Sequence, residues 1–270
     1  MKRQKRKAYA VVTGASAGIG SEFAKRLAGE GYPLILVARR RDRLEELVRV
    51  IHEGIDEELE CLIVEADLSK SMECLRLAKF IGNKKIAVFI NNAGFGDCGC
   101  FLEQDVDKEL KMIDVNVKAV HLLTKLVLKQ MEKQNAGYLL NVASSAGLMP
   151  AGPYMATYYA TKAYVTSMTR AVAEELREHN SPVYIGCLCP GPVDTEFNDV
   201  AGVEFALKGI SPEFCANYAI DQMKRRKVVI IPSLMMQAAM TAGRFLPQPL
   251  YIRIAAHQQK KKIATPKTSA

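Results

Sequence analysis

Tyr158 and Lys162 stand four residues apart in YYATKAYVTSMTRAVAEEL, and Ser144 lies fourteen residues before that tyrosine. On a helix, positions i and i+4 share a face, so the phenol and the ammonium can point into one cleft. A free tyrosine titrates near pH 10 and is a poor base at neutrality, whereas a nearby fixed cation favours the phenolate. A shift of about three units requires roughly 4 kcal/mol of differential stabilisation. One lysine together with a cationic cofactor ring is expected to supply it, with the Ser144 hydroxyl holding a substrate oxygen beside the phenol. The chemistry of such a set is proton transfer to or from an oxygen. Tyr-x-x-x-Lys is common on helix surfaces, so its meaning depends on what precedes it.

The chain opens with AYAVVTGASAGIGSEFAKRLAGEG, in which an apolar run from Ala8 to Val12 meets a glycine-rich turn. An amphipathic stretch from Ile19 to Ala28 follows, with Phe23, Ala24 and Leu27 on one face. This reads as strand, turn and helix. Gly14, Gly18 and Gly20 let the backbone turn tightly and approach a pyrophosphate at the helix N-terminus, with Ser16 and Ile19 in the same turn. The spacing is Gly-x-x-x-Gly-x-Gly, so a glycine turn without a ligand stays open on this motif alone.

TGASAGIG, Asp67 in EADLS, NNAG at 91–94, Asn116 in IDVNV, Ser144 in NVASSAG, Tyr158/Lys162 and PGPVDT at 190–195 follow in order. In that order they resemble the short-chain dehydrogenase/reductase family in its single-domain form, over roughly residues 8–231. The resemblance implies a nicotinamide cofactor and a catalytic set of Asn116, Ser144, Tyr158 and Lys162. Asp67 would accept from the adenine amine or cap the next helix. Asn91, Ala93 and Gly94 would line the cofactor's floor, and Lys162 would hold its ribose. Pro190 and Gly191 would turn the chain so that Val193 and Thr195 hold the carboxamide. Asn116, inside the apolar stretch MIDVNVKAVHLL, would hold a water relaying protons to the lysine; a satisfied core amide is the plainer alternative.

Apolar runs near 8–13, 33–38, 60–65, 86–90, 137–142, 183–188 and 227–231 alternate with helical patterns. They are continuous rather than alternating, as in a parallel sheet covered on both faces. The fold class is α/β: one doubly wound, Rossmann-type domain of seven strands spanning 8–231. Residues 1–7 and 260–270 form basic tails, and 232–259 an apolar extension. Nine of the 37 basic residues lie in those tails, which hold no acidic residue, so the remaining 28 face 29 acidic ones and the body is neutral. That argues against a nucleic-acid partner. No run of eighteen apolar residues predicts a spanning helix, and MKRQKRKAYAVVTG lacks the features of a secretory signal. Seven cysteines, an odd number, suggest free thiols and a cytoplasmic setting. Neither they nor the scattered histidines form a metal pattern.

After the second strand comes Arg39-Arg40-Arg41, a place where a carboxylate suits NAD and a guanidinium suits the 2′-phosphate of NADP. NADP(H) is therefore the expected cofactor, with Arg39 and Arg40 as readers and Asp42 capping the following helix. Phe95, Leu148, Met149, Met155, Phe197, Val203 and Phe205 suggest an apolar substrate pocket. The extension PSLMMQAAMTAGRFLPQPLYIRIAAHQQKKK resembles that of relatives acting on hydrophobic alcohols and ketones. It is expected to pack on the body or on a neighbouring subunit of a dimer or tetramer, because Pro247 and Pro249 interrupt any long membrane-lying helix. The expected reaction is interconversion of a secondary alcohol and a ketone, with a hydroxysteroid such as a bile acid as leading substrate. A long-chain 3-ketoacyl substrate is the alternative, and a cofactor-binding redox sensor the alternative of another class.

Overall fold

The computed structural model describes residues 7–197, 201–202, 209–243 and 245–263. The seven apolar runs become seven parallel strands: β1 (Tyr9–Thr13), β2 (Leu34–Ala38), β3 (Cys61–Glu65), β4 (Ile86–Asn91), β5 (Tyr138–Val142), β6 (Tyr184–Leu188) and β7 (Val229–Ile230). They form one sheet in the order β3-β2-β1-β4-β5-β6-β7. Every residue of β2 and β6 is buried, which is why those strands carry no polar alternation. The strand order reverses between β1 and β4, so a crevice opens at the carboxyl ends of these two strands.

Helices cover both faces. On one, Phe23 and Leu27 of α1 (Gly18–Gly29), Leu44 and Ile51 of α2 (Arg41–Gly54) and Ile220 of α7 (Pro212–Lys224) pack on the sheet. On the other lie Leu77 and Ile81 of α3 (Ser71–Ile81) and Leu123, Val127 and Met131 of α5 (Val120–Gln134). Between α3 and α5, α4 (Val106–Ile113) continues into a π-helical segment, Asp114–Ala119. The long α6 (Ala156–Glu178) follows β5 and a 3-10 turn at Ser145–Leu148. Two helices end the described chain: α8 (Leu234–Gly243) and α9 (Gln248–Ile263).

Two local expectations are corrected. Asp42 does not cap α2: the helix starts one residue earlier, Arg40 is the N-cap, and Asp42 sits in the first turn, where its charge still suits the helix dipole. Pro247 and Pro249 do separate α8 from α9, but Pro249 is the second residue of α9, where a missing N–H costs no helical bond. A helix therefore runs on directly from the prolines. Among the described residues, no helix is long and apolar enough to cross a membrane.

Thr13, fully buried at the end of β1, fastens the strands beside the crevice. Its hydroxyl donates to the Ile90 carbonyl (3.4 Å) and accepts from the amides of Asn92 (2.9 Å) and Ala93 (3.0 Å). Thr13→Val keeps the shape but strands those amides, at a cost of about 2 kcal/mol. A lowered urea midpoint with unchanged slope is the expected result.

Candidate active site

The turn after β1 is shaped by the space its glycines leave. Gly14 and Gly18 have φ of 64° and 57°, a region that side chains disfavour. A Cβ on Gly20 would lie 2.1 Å from the Gly14 carbonyl oxygen, so this glycine lets α1 close on its own turn and does not itself line the crevice. Asn92 locks the arrangement by donating to the carbonyls of Thr13 (3.0 Å) and Gly14 (3.2 Å). No side chain caps α1 and its first turn holds no acidic residue, so its leading amides and the positive end of its dipole face the crevice.

The crevice is a cavity of about 930 Å³. Gly14, Ser16, Gly18, Ile19, Arg39, Arg40, Asp67, Ala93 and Gly94 line one end of it. Pro190, Gly191, Val193 and Thr195 line it as well, and Thr195 packs over Gly18. Asn91 does not. Its carboxamide turns into the core, donating to the Val120 carbonyl and Asn141 Oδ1 (both 3.2 Å), so the residue that faces the cavity is Asn92. Strand alternation explains the exchange, because neighbouring residues point to opposite sides.

Ser144, Tyr158 and Lys162 meet on the cavity wall. The Ser144 hydroxyl accepts from the Ala146 amide (3.1 Å) and hydrogen-bonds the Tyr158 phenol. Lys162 Nζ donates to the Val142 carbonyl (3.0 Å) and sits 5.8 Å from the centre of the Tyr158 ring. Burial pushes the phenol up to about 12, against the opposing hydrogen bond with Ser144. Without a cofactor ring beside it, desolvation therefore outweighs the hydrogen bond that would lower the phenol. Burial also brings Lys162 down to about 8. Asn116 lies behind this wall, fully buried in the π-helical segment and not lining the cavity. Its amide donates to the Phe95 carbonyl (2.8 Å) and Thr161 Oγ1 (3.2 Å), and its oxygen accepts from the Phe95 amide (3.1 Å). A Cβ on Gly94 would come within 2.9 Å of that oxygen and 3.4 Å of Lys162 Nζ, so the Asn-Ala-Gly turn presses Asn116 toward the lysine.

On the same lining, Arg40 is engaged with Glu196 (3.0 Å) and Ser16 (3.4 Å), whereas Arg39 makes no ion pair among the described residues. Burial would raise the Asp67 carboxyl, but hydrogen bonds from the Ser69 hydroxyl and amide, with the charges of Lys111 and Arg39, hold it below its ordinary value. Asp67 fixes this turn and does not cap α3, whose N-cap is Lys70.

Phe95, Met149, Met155 and Phe197 line the cavity as expected; Leu148 instead packs beside Val120 and Val165, and Val203 and Phe205 lie outside the described residues. The side chains least legible in sequence come from α8 and α9: Met236, Met240, Leu246, Tyr251, Ile254 and Gln259 also line it. Gln259 donates to the Tyr159 hydroxyl (2.5 Å), fastening α9 to the helix that carries Tyr158.

The sequence relatives include a very-long-chain 3-oxoacyl-CoA reductase of Vanderwaltozyma polyspora, 33% identical over 65% of this chain and 53% of its own. The chain thus spans about half the length of that relative. Among solved structures, a short-chain dehydrogenase from Sphingobium yanoikuyae in complex with NADPH is 26% identical, with 97% of this chain and 98% of that one covered at a TM-score of 0.79. A 7beta-hydroxysteroid dehydrogenase superposes at a TM-score of 0.81 over 94% of this chain and 98% of its own, but at 22% identity it speaks for the fold alone. The family model for short chain dehydrogenase matches residues 8–203, and with the glycine turn, the Asn-Ala-Gly turn and the Ser144/Tyr158/Lys162 cluster inside that span, the chain belongs to the short-chain dehydrogenase family.

Proposed function

We propose that the protein is an NADPH-dependent oxidoreductase that interconverts a lipophilic ketone and its secondary alcohol. The observation that carries this reading is one cavity with Ser144, Tyr158 and Lys162 on its wall and the apolar side chains of α8 and α9 opposite. The cradle fits a nicotinamide dinucleotide: a Cβ on Gly14 would lie 2.9 Å from the Ala93 Cα, and the uncapped amides of α1 suit a pyrophosphate. When bound, the dinucleotide supplies or accepts the hydride. Arg39 and Arg40 lie where a 2′-phosphate would meet a guanidinium, and the NADPH carried by the Sphingobium enzyme supports this choice.

In the reducing direction, Ser144 orients and polarises the carbonyl oxygen and Tyr158 delivers a proton to it. A phenol held near 12 is fully protonated at neutral pH, the state that reduction requires. Lys162 holds the cofactor ribose and replaces the proton, with Asn116 positioning that relay. Two substrate classes fit the apolar wall. A hydroxysteroid such as a bile acid suits a compact pocket, and a long-chain 3-oxoacyl thioester is favoured by the similarity to a very-long-chain 3-oxoacyl-CoA reductase. NADPH oxidation followed at 340 nm with a panel of both classes, and identification of the products, decides between them. Cofactor binding without turnover on any carbonyl would instead favour a redox sensor.

Tyr158→Phe is expected to lower kcat about a thousandfold or more, roughly 4 kcal/mol, while NADPH affinity measured by fluorescence titration stays the same. Arg39→Asp replaces an attraction with a repulsion, so the KM for NADPH should rise strongly and that for NADH little. Lys162→Met should abolish turnover yet raise stability at pH 7. The native lysine's fall from 10.5 to about 8 corresponds to about 3 kcal/mol lost by keeping it charged while buried. The folded state releases this proton more readily than the unfolded chain does, so that penalty is full below pH 8 and fades as pH rises toward 10.5. Urea titrations of ligand-free wild type and variant across this window should converge at the alkaline end.

A further inference from the structure

The helices that close the cavity carry a second surface. Leu234, Met235, Phe245, Leu246, Leu250 and Ile254 are exposed on α8, α9 and the turn between them, Leu234 to 79% and Phe245 to 85%. Single exposed apolar side chains are ordinary, but six on two consecutive helices and their turn mark an interaction surface. Met235, Leu246 and Ile254 also line the cavity, so the exposed patch forms its rim. The charge on these two helices has one sign. No Asp or Glu follows Asp221 in the chain, while Arg253 and Lys260 are exposed on α9. Lys260 Nζ lies 5.7 Å from the centre of the Tyr154 ring, which fixes where its ammonium sits. Glu196, on the cavity lining, is already paired with Arg40.

We propose that this face, the outer surface of α8 and α9, docks on an anionic lipid bilayer, with the apolar rim in the headgroup boundary, the cations at lipid phosphates and the cavity open toward the acyl region. Exposed apolar side chains on helices that carry cations and no carboxylate match such a surface. A second copy of the chain fits less well, because twofold pairing of these helices would set Arg253 and Lys260 against their own counterparts with no carboxylate on α8 or α9 to answer them. The docking surface follows from exposure and charge; only its use, delivery of an apolar ketone from the bilayer, rests on the reading of the active site above.

The test is co-sedimentation of the full chain with vesicles of phosphatidylcholine alone and of phosphatidylcholine with one quarter phosphatidylglycerol. Binding is expected to the anionic vesicles, to weaken in high salt, and to fall about tenfold or more in Leu234→Glu/Phe245→Glu. Neither of those residues lines the cavity, so turnover of a small water-soluble ketone should be unchanged and would show that the variant is folded. Failure of the wild type to sediment with anionic vesicles would overturn the proposal. So would a drop in oligomer mass in the double variant by light scattering, which would assign the patch to a subunit contact. Vesicle binding with no activity on any ketone would leave the docking surface standing and remove the proposed function alone.

Discussion

The structure turns on the desolvation of one tyrosine and one lysine. Tyr158 and Lys162 are buried on a shared face of α6, and burial drives both toward their neutral forms, the phenol up and the ammonium down. The neutral phenol suits burial, but the lysine does not: among the described residues Lys162 keeps a single bond to the Val142 carbonyl, and no carboxylate neutralises it. A folded chain tolerates this only where the surroundings are over-determined. Here β5, the Ser144 turn and the Asn-Ala-Gly turn converge on the pair, and Asn116 ties the last of these to α6 through Phe95 and Thr161.

That convergence is a consequence of the sheet. Reversal of strand order between β1 and β4 leaves their carboxyl ends uncovered by connecting helices, and the glycine turn and the Asn-Ala-Gly turn occupy those two ends. Thr13 and Asn92 then bond one turn to the other, so the glycine turn and the Asn-Ala-Gly turn are held together. Rigidity of this kind matters because proton transfer is sensitive to sub-ångström placement of donor and acceptor.

The sequence carried the frame because its signals are local. Each continuous apolar run marks a strand, and β1 to β6 lie within a residue of the runs that announce them. The Ser144, Tyr158 and Lys162 cluster was readable from residue type and order. What stayed hidden depends on where a side chain ends up in three dimensions. Asn91 and Asn92 are identical in type, and only the end of β4 decides that one faces Asn141 and the other the glycine turn. Asp42 misleads because a helix can begin without a side-chain cap.

The C-terminal helices are the least legible part, and the reason is physical. Their residues are apolar on more than one side: α8 reads LMMQAAMTAG, with no polar stripe to announce an inner face. A helix of that composition must cover something, and here it covers two things at once. Met236 and Met240 turn to the cavity while Leu234 stays exposed, and Gln259 on α9 holds the assembly to Tyr159, next to the reacting phenol. A roof built this way is anchored at its far end by a buried hydrogen bond and left apolar at its rim. Lateral movement of α8 would open the cavity without breaking any strand pairing, so substrate entry can be soft while the Ser144, Tyr158 and Lys162 cluster stays fixed.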